Sequence, residues 1–146
     1  MQELELLSRV TLYVLLLLFG LITLILCWFQ INVYKGKAMD NPDGSTDDWH
    51  EQKILFGMSF ADIVIICPAT FVAIALILID SQWGFYILGL LSFWHVWVNT
   101  AFTVTSLRFE KPEITFMWFM AYPFGILLGL LYLVWLFVHF EMVFFP

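Results

Sequence analysis

The chain has 146 residues, of which 62% are hydrophobic, 19% aromatic and only 12% charged, with a net charge of -6. That composition excludes a soluble domain, and it offers no basic footprint for nucleic acid. Cys27 and Cys67 are the only cysteines and form no Cys-x-x-Cys pair, which argues against a thiol–disulfide enzyme.

Four apolar stretches, 10–32, 54–79, 83–107 and 114–138, each exceed the roughly 18 to 20 residues that a helix needs to cross a bilayer. They predict an all-α integral membrane protein: a four-transmembrane-helix antiparallel bundle forming a single transmembrane domain over residues 1–146. The first stretch follows Glu3 and Glu5 against a single Arg9 and is too long for a secretory signal, so it is expected to stay in the mature protein.

The 33–53 loop is the only substantial extramembrane segment. Asn41-Pro42-Asp43-Gly44 spells a turn, because proline presets one dihedral and glycine accepts a positive one. Asp48 and Glu51 follow with the spacing of an N-cap and its acidic partner, so the second helix is expected to begin there. The loop is acidic, yet it fails as a calcium loop. With Gly44 at the required glycine, Met39 and His50 fall where acids are needed. Lys35, Lys37, Lys53, Arg108 and Lys111 lie on the same side and Arg9 on the other, so the positive-inside rule puts the 33–53 loop in the cytoplasm and both termini outside.

The second and third spans are joined only by Asp80-Ser81-Gln82, which demands a tight antiparallel hairpin. Lys111-Pro112-Glu113 is expected to open the fourth helix. Trp28, Trp49, Trp83 and Trp118 fall near span ends, where indoles favour the headgroup zone. Pro68 and Pro123 each remove a backbone hydrogen bond in mid-span. Gly125 and Gly129 make a Gly-x-x-x-Gly step suited to close helix packing.

Asp62 is the only formally charged residue inside the four stretches. A carboxylate in hydrocarbon normally faces a polar interior, a partner or a ligand. The third span carries Ser92, His95, Asn99, Thr103 and Ser106 on one helical face; Thr23, Cys27 and Gln30 repeat that pattern on the first span, and Tyr122 and Tyr132 on the fourth. Counted from the long-loop side, Thr23, Asp62, Asn99 and Tyr122 each lie roughly 12 to 14 Å deep, with His95 a turn further in and Thr103 nearer the loop.

The expected site is therefore a polar pocket opening toward the long loop, with Asp62, Asn99, His95, Tyr122, Thr23 and Thr103 as ligand-binding or proton-exchange residues. Its ligand is expected to be a small cationic or amphipathic solute, bound or transported, with proton coupling available to the carboxylate. The bland reading is that these groups only tie helix to helix. No motif names a reaction, a metal or a cofactor, and His95 and His139 lie too far apart in depth to share a haem. Besides the lipid bilayer, the partners to weigh are such a solute, another membrane protein, or a second copy. The alternatives are a noncatalytic subunit of a membrane complex and, more weakly, an enzyme acting on a lipid-like substrate through Asp62 and His95.

Overall fold

The computed structural model describes residues 5–35, 49–110 and 112–145. Three helices are long and apolar enough to cross a membrane, Leu6–Tyr34, Phe56–Leu78 and Gln82–Phe109, and the shorter apolar helix Pro123–Val138 joins them. The chain is a multi-span helical membrane protein. Its helices are apolar almost all round, which suits a protein solvated by lipid. Leu17, Ile25, Val64, Leu90 and Val134 point outward, while Leu12, Leu16, Phe19, Ala73, Ile77, Leu88, Leu128 and Tyr132 make the buried core.

Helix α1 is continuous from Leu6 to Tyr34. The second span is composite: α2 (Trp49–Ala61), a π-helical turn (Asp62–Ile66) and α3 (Cys67–Leu78). Pro68 accounts for the interruption. It has no N–H to give the carbonyl of Val64, and its ring crowds that carbonyl. The preceding turn widens, and the N–H of Cys67 bonds the carbonyl of Asp62, five residues back. The expected capping Asp48 and the turn at Asn41-Pro42-Asp43-Gly44 lie outside the described residues, although α2 begins at Trp49, the residue after Asp48.

The hairpin after α3 is as tight as expected. Asp80 takes φ 62°, a left-handed conformation. The N–H of Asp80 bonds the carbonyl of Ile77, and the N–H of Ser81 bonds that of Leu76. This is a Schellman closure, normally built on glycine. Helix α4 (Gln82–Thr105) then runs back against α3 and ends in a second π-helical turn, Ser106–Glu110.

The last apolar stretch departs from expectation. Pro112 and Glu113 stay outside any helix, and α5 (Phe116–Ala121) starts instead behind Thr115, whose hydroxyl accepts the N–H of Trp118 at 3.1 Å. Thr115 satisfies an orphan first-turn donor, so it sets the helix start. Tyr122, at φ -121° and ψ -76°, breaks the helix before α6 (Pro123–Val138), because a residue preceding proline is disfavoured in the α region. The expected single fourth helix is thus two pieces. A final turn, α7 (Phe140–Phe144), completes the described chain.

Cross-helix contacts show α1, α3, α4 and α6 packed in a closed ring with neighbours antiparallel. Cys67 donates to the carbonyl of Thr23, Tyr132 to that of Phe85, and Trp135 Nε1 to that of Ser8 at 3.1 Å. His139 locks the same end. Its Nδ1 lies 2.8 Å from the carbonyl of Trp135 and so must carry the proton, leaving Nε2 to accept from Ser8 Oγ at 3.0 Å. Glycines allow the closest approaches. A Cβ on Gly84 would sit 2.6 Å from the backbone nitrogen of Ile77, and one on Gly129 would sit 2.7 Å from the carbonyl oxygen of Ser92.

Gly84→Ala and Gly129→Ala are each expected to lower stability by about 1–3 kcal/mol, because backbone rather than a flexible side chain stands in the way. Gly57 has nothing within 4 Å of an added Cβ, so Gly57→Ala should be neutral or stabilising by up to about 1 kcal/mol. Unfolding in detergent followed by helical circular dichroism compares the three.

Candidate functional site

The widened turn places Asp62 where α2 gives way to α3, facing α1 and α4. The residue is 5% exposed. Gln30 Nε2 donates to Asp62 Oδ2 at 2.7 Å, and Ser59 Oγ donates to Gln30 Oε1 at 2.7 Å. Ser59, Gln30 and Asp62 therefore form one directed chain across the α1–α2 seam. Gln30 uses both ends of its amide, accepting from the hydroxyl and donating to the carboxylate. A carboxylate has about four lone-pair positions, so one amide bond leaves acceptor capacity for a ligand.

Beside Asp62 lies a cavity of about 160 Å³, lined by Met58, Ala61, Ile65, Trp94, Trp97 and Val98 as well as the aspartate. This is comparable to an apolar cavity of roughly 150 Å³ that admits a benzene ring. One acid, two indoles and a thioether make up its distinctive chemistry. Indole faces attract cations through their quadrupole, and Asp62 supplies a charge at the same place. Among the described residues no three His, Cys, Asp or Glu side chains converge to hold a metal.

The wider set of expected site residues is arranged differently. Asn99 Nδ2 donates to the carbonyl of His95 at 2.9 Å, one turn back on its own helix, and its side chain packs against Gly125. Ser92 and Thr100 likewise bond carbonyls of their own helix. His95 is buried between the rings of Phe19 and Trp94, and its Nε2 has no hydrogen-bond partner. Thr103 Oγ1 is also buried without a partner. Tyr122 packs on Trp118 and Phe102, and Trp118 is held in turn by its Nε1–H to Ser106 Oγ.

Depth counting misplaced α1 relative to the second span. Asp62 stands level with Gln30, whereas Thr23 stands level with Cys67, whose Sγ donates to its carbonyl at 3.9 Å. Both cysteines are free, and Cys67, bonded to the carbonyl of Thr23, lies within a helical turn of Cys27. The second helix is set further out than α1, so Asp62 meets α1 nearer the loop. Gln30 already lay on the polar face of the first span, so its reach to Asp62 was the available signal.

On the long-loop side, Ser59 is fully buried, and Tyr34 stacks on Phe56 at 5.2 Å and leans on Phe60 at 6.2 Å. Two of the cavity's lining residues, Ile65 at 60% and Trp97 at 69%, are exposed on the outer surface.

Because Gln30 serves both neighbours, Gln30→Leu is expected to destabilise by about 1–3 kcal/mol, and Ser59→Ala by about 0.5–1.5 kcal/mol. The double variant should cost little more than Gln30→Leu alone, measured by unfolding in detergent; additive costs would contradict a shared chain. The sequence matches no family model, no curated protein and no solved structure.

Proposed function

We propose that the chain is a single membrane domain that binds a small organic cation, with Asp62 as counter-ion and Trp94 and Trp97 as aromatic walls. The observation that carries this reading is the 160 Å³ cavity whose lining includes one buried carboxylate and two tryptophans. Packing alone needs no charge there, since neutral amides and hydroxyls tie membrane helices together. A carboxylate can exchange a proton for a cation, so binding here is compatible with proton-coupled transport.

In this reading α5 and α6 together make the fourth crossing of an antiparallel four-helix bundle, with the loop between α1 and α2 cytoplasmic and both termini outside. His95 Nε2 and Thr103 Oγ1 are buried without partners, but neither residue lines the cavity at Asp62. Thr23, Asn99 and Tyr122 act around the site by holding α1, α4 and α5 in register. The lateral mouth also supports a second reading, a subunit whose Asp62 receives a lysine or arginine from a partner's helix. Stable copurification with one membrane protein, lost in Asp62→Asn, would favour that alternative.

The probe for the first reading is decyltrimethylammonium added to the protein in phosphatidylcholine nanodiscs. Wild type should bind it saturably, and Asp62→Asn, which retains size and hydrogen bonding, should not. Trp94→Leu and Trp97→Leu should each weaken binding roughly 2- to 30-fold, the range of one cation–π contact. Equal binding by wild type and Asp62→Asn would refute the proposal.

A further inference from the structure

We infer that the ligand is a lipophilic cation that reaches Asp62 sideways from the hydrocarbon, not a hydrophilic cation entering from water. This rests on the proposed cation site and adds its route and substrate class.

Three observations carry it. On the loop side of Asp62, the seam between α1 and the second span is occupied by the Ser59–Gln30–Asp62 chain at 2.7 Å per link, with Ser59 fully buried. The opposite direction is filled by core, where Ile77, Leu88 and Leu12 are completely buried. The cavity lies at the seam between the second span and α4, and two of its lining residues, Ile65 and Trp97, are apolar side chains exposed on the outer surface.

The lateral surface continues the same chemistry. Beyond Trp97, the outer side of α4 carries a shallow trough floored by Val96, Thr100 and Ala101 and edged by Phe93 and Val104. Trp97 is the shared wall of trough and cavity. A cationic head between Trp94 and Trp97 would leave its hydrocarbon part against this trough or the surrounding lipid. A water-loving cation gains nothing from such a mouth, because it would have to cross hydrocarbon to reach it. An alkylammonium is concentrated there by its own chain.

The widened turn also gives the mouth its shape. An α-helix through residues 62–66 would turn Asp62 and Ile65 differently with respect to α4. Pro68 therefore fixes both the acid and one lip of its entrance.

The test uses radiolabelled alkyltrimethylammonium ions of increasing chain length, from tetramethylammonium to decyltrimethylammonium, with wild type, Asp62→Asn, Ile65→Trp and Ser59→Ala in phosphatidylcholine nanodiscs. Affinity per total ligand should rise with each methylene, by up to roughly fourfold, as expected for chains leaving water. Ile65→Trp, on the outer surface, should narrow the mouth and slow decyltrimethylammonium association several-fold while the circular-dichroism melting curve stays unchanged. Ser59→Ala, which loosens the loop-side closure, should leave the association rate unaltered.

If tetramethylammonium binds as tightly as the decyl compound in an Asp62-dependent way, or if Ser59→Ala accelerates association while Ile65→Trp does not slow it, lateral entry is overturned and the cation site stands. If no ion in the series distinguishes wild type from Asp62→Asn, the cation site itself fails, and the inference with it.

Discussion

A carboxylate held among membrane helices must find its hydrogen bonds inside the protein, because hydrocarbon supplies none. Asp62 finds one on Gln30, 2.7 Å away, and Gln30 is steadied in turn by Ser59. Most of the site follows from that requirement. It ties α1 to the second span at this level and leaves the carboxylate acceptor capacity beside a cavity that Trp94 and Trp97 also line.

Backbone chemistry works in the same direction. Pro68 forces a π-helical turn at the acid, Thr115 caps the start of α5, Pro123 divides the last apolar stretch, and Asp80 accepts a left-handed conformation to close a three-residue hairpin. Each departure from regular helix coincides with a residue whose covalent structure or side-chain hydrogen bonding disfavours the regular path. Close packing does the rest. Glycines at 84, 125 and 129 let α4 press against α3 and α6, so the ring of helices closes around a core of leucine, phenylalanine and tyrosine.

Much of this was legible in the sequence. Apolar length pointed to the helical membrane class and to four spans, of which three are long helices and the last is a shorter apolar helix, and the isolation of Asp62 marked it as the residue to explain. What escaped was relative position. Helix boundaries read from hydropathy assume that every helix enters hydrocarbon at the same level, and an offset of a few residues was enough to exchange Thr23 for Gln30 as the neighbour of Asp62. The aligned polar face of α4 also promised more than it delivers. Ser92 and Asn99 spend hydrogen bonds on carbonyls one turn away, a local use that spacing alone does not distinguish from a converging site. Trp94 and Trp97 went unnoticed as walls because aromatic residues are abundant throughout this chain, and only the packing of the second span against α4 shows which two flank the acid.

The most direct measurement is a density map of the protein in nanodiscs saturated with decyltrimethylammonium. A lipophilic-cation site predicts head-group density between Asp62, Trp94 and Trp97, with the chain leaving between Ile65 and Trp97 and the Gln30–Asp62 contact intact. A cavity filled by a partner's side chain, or ligand density away from Asp62, would contradict it.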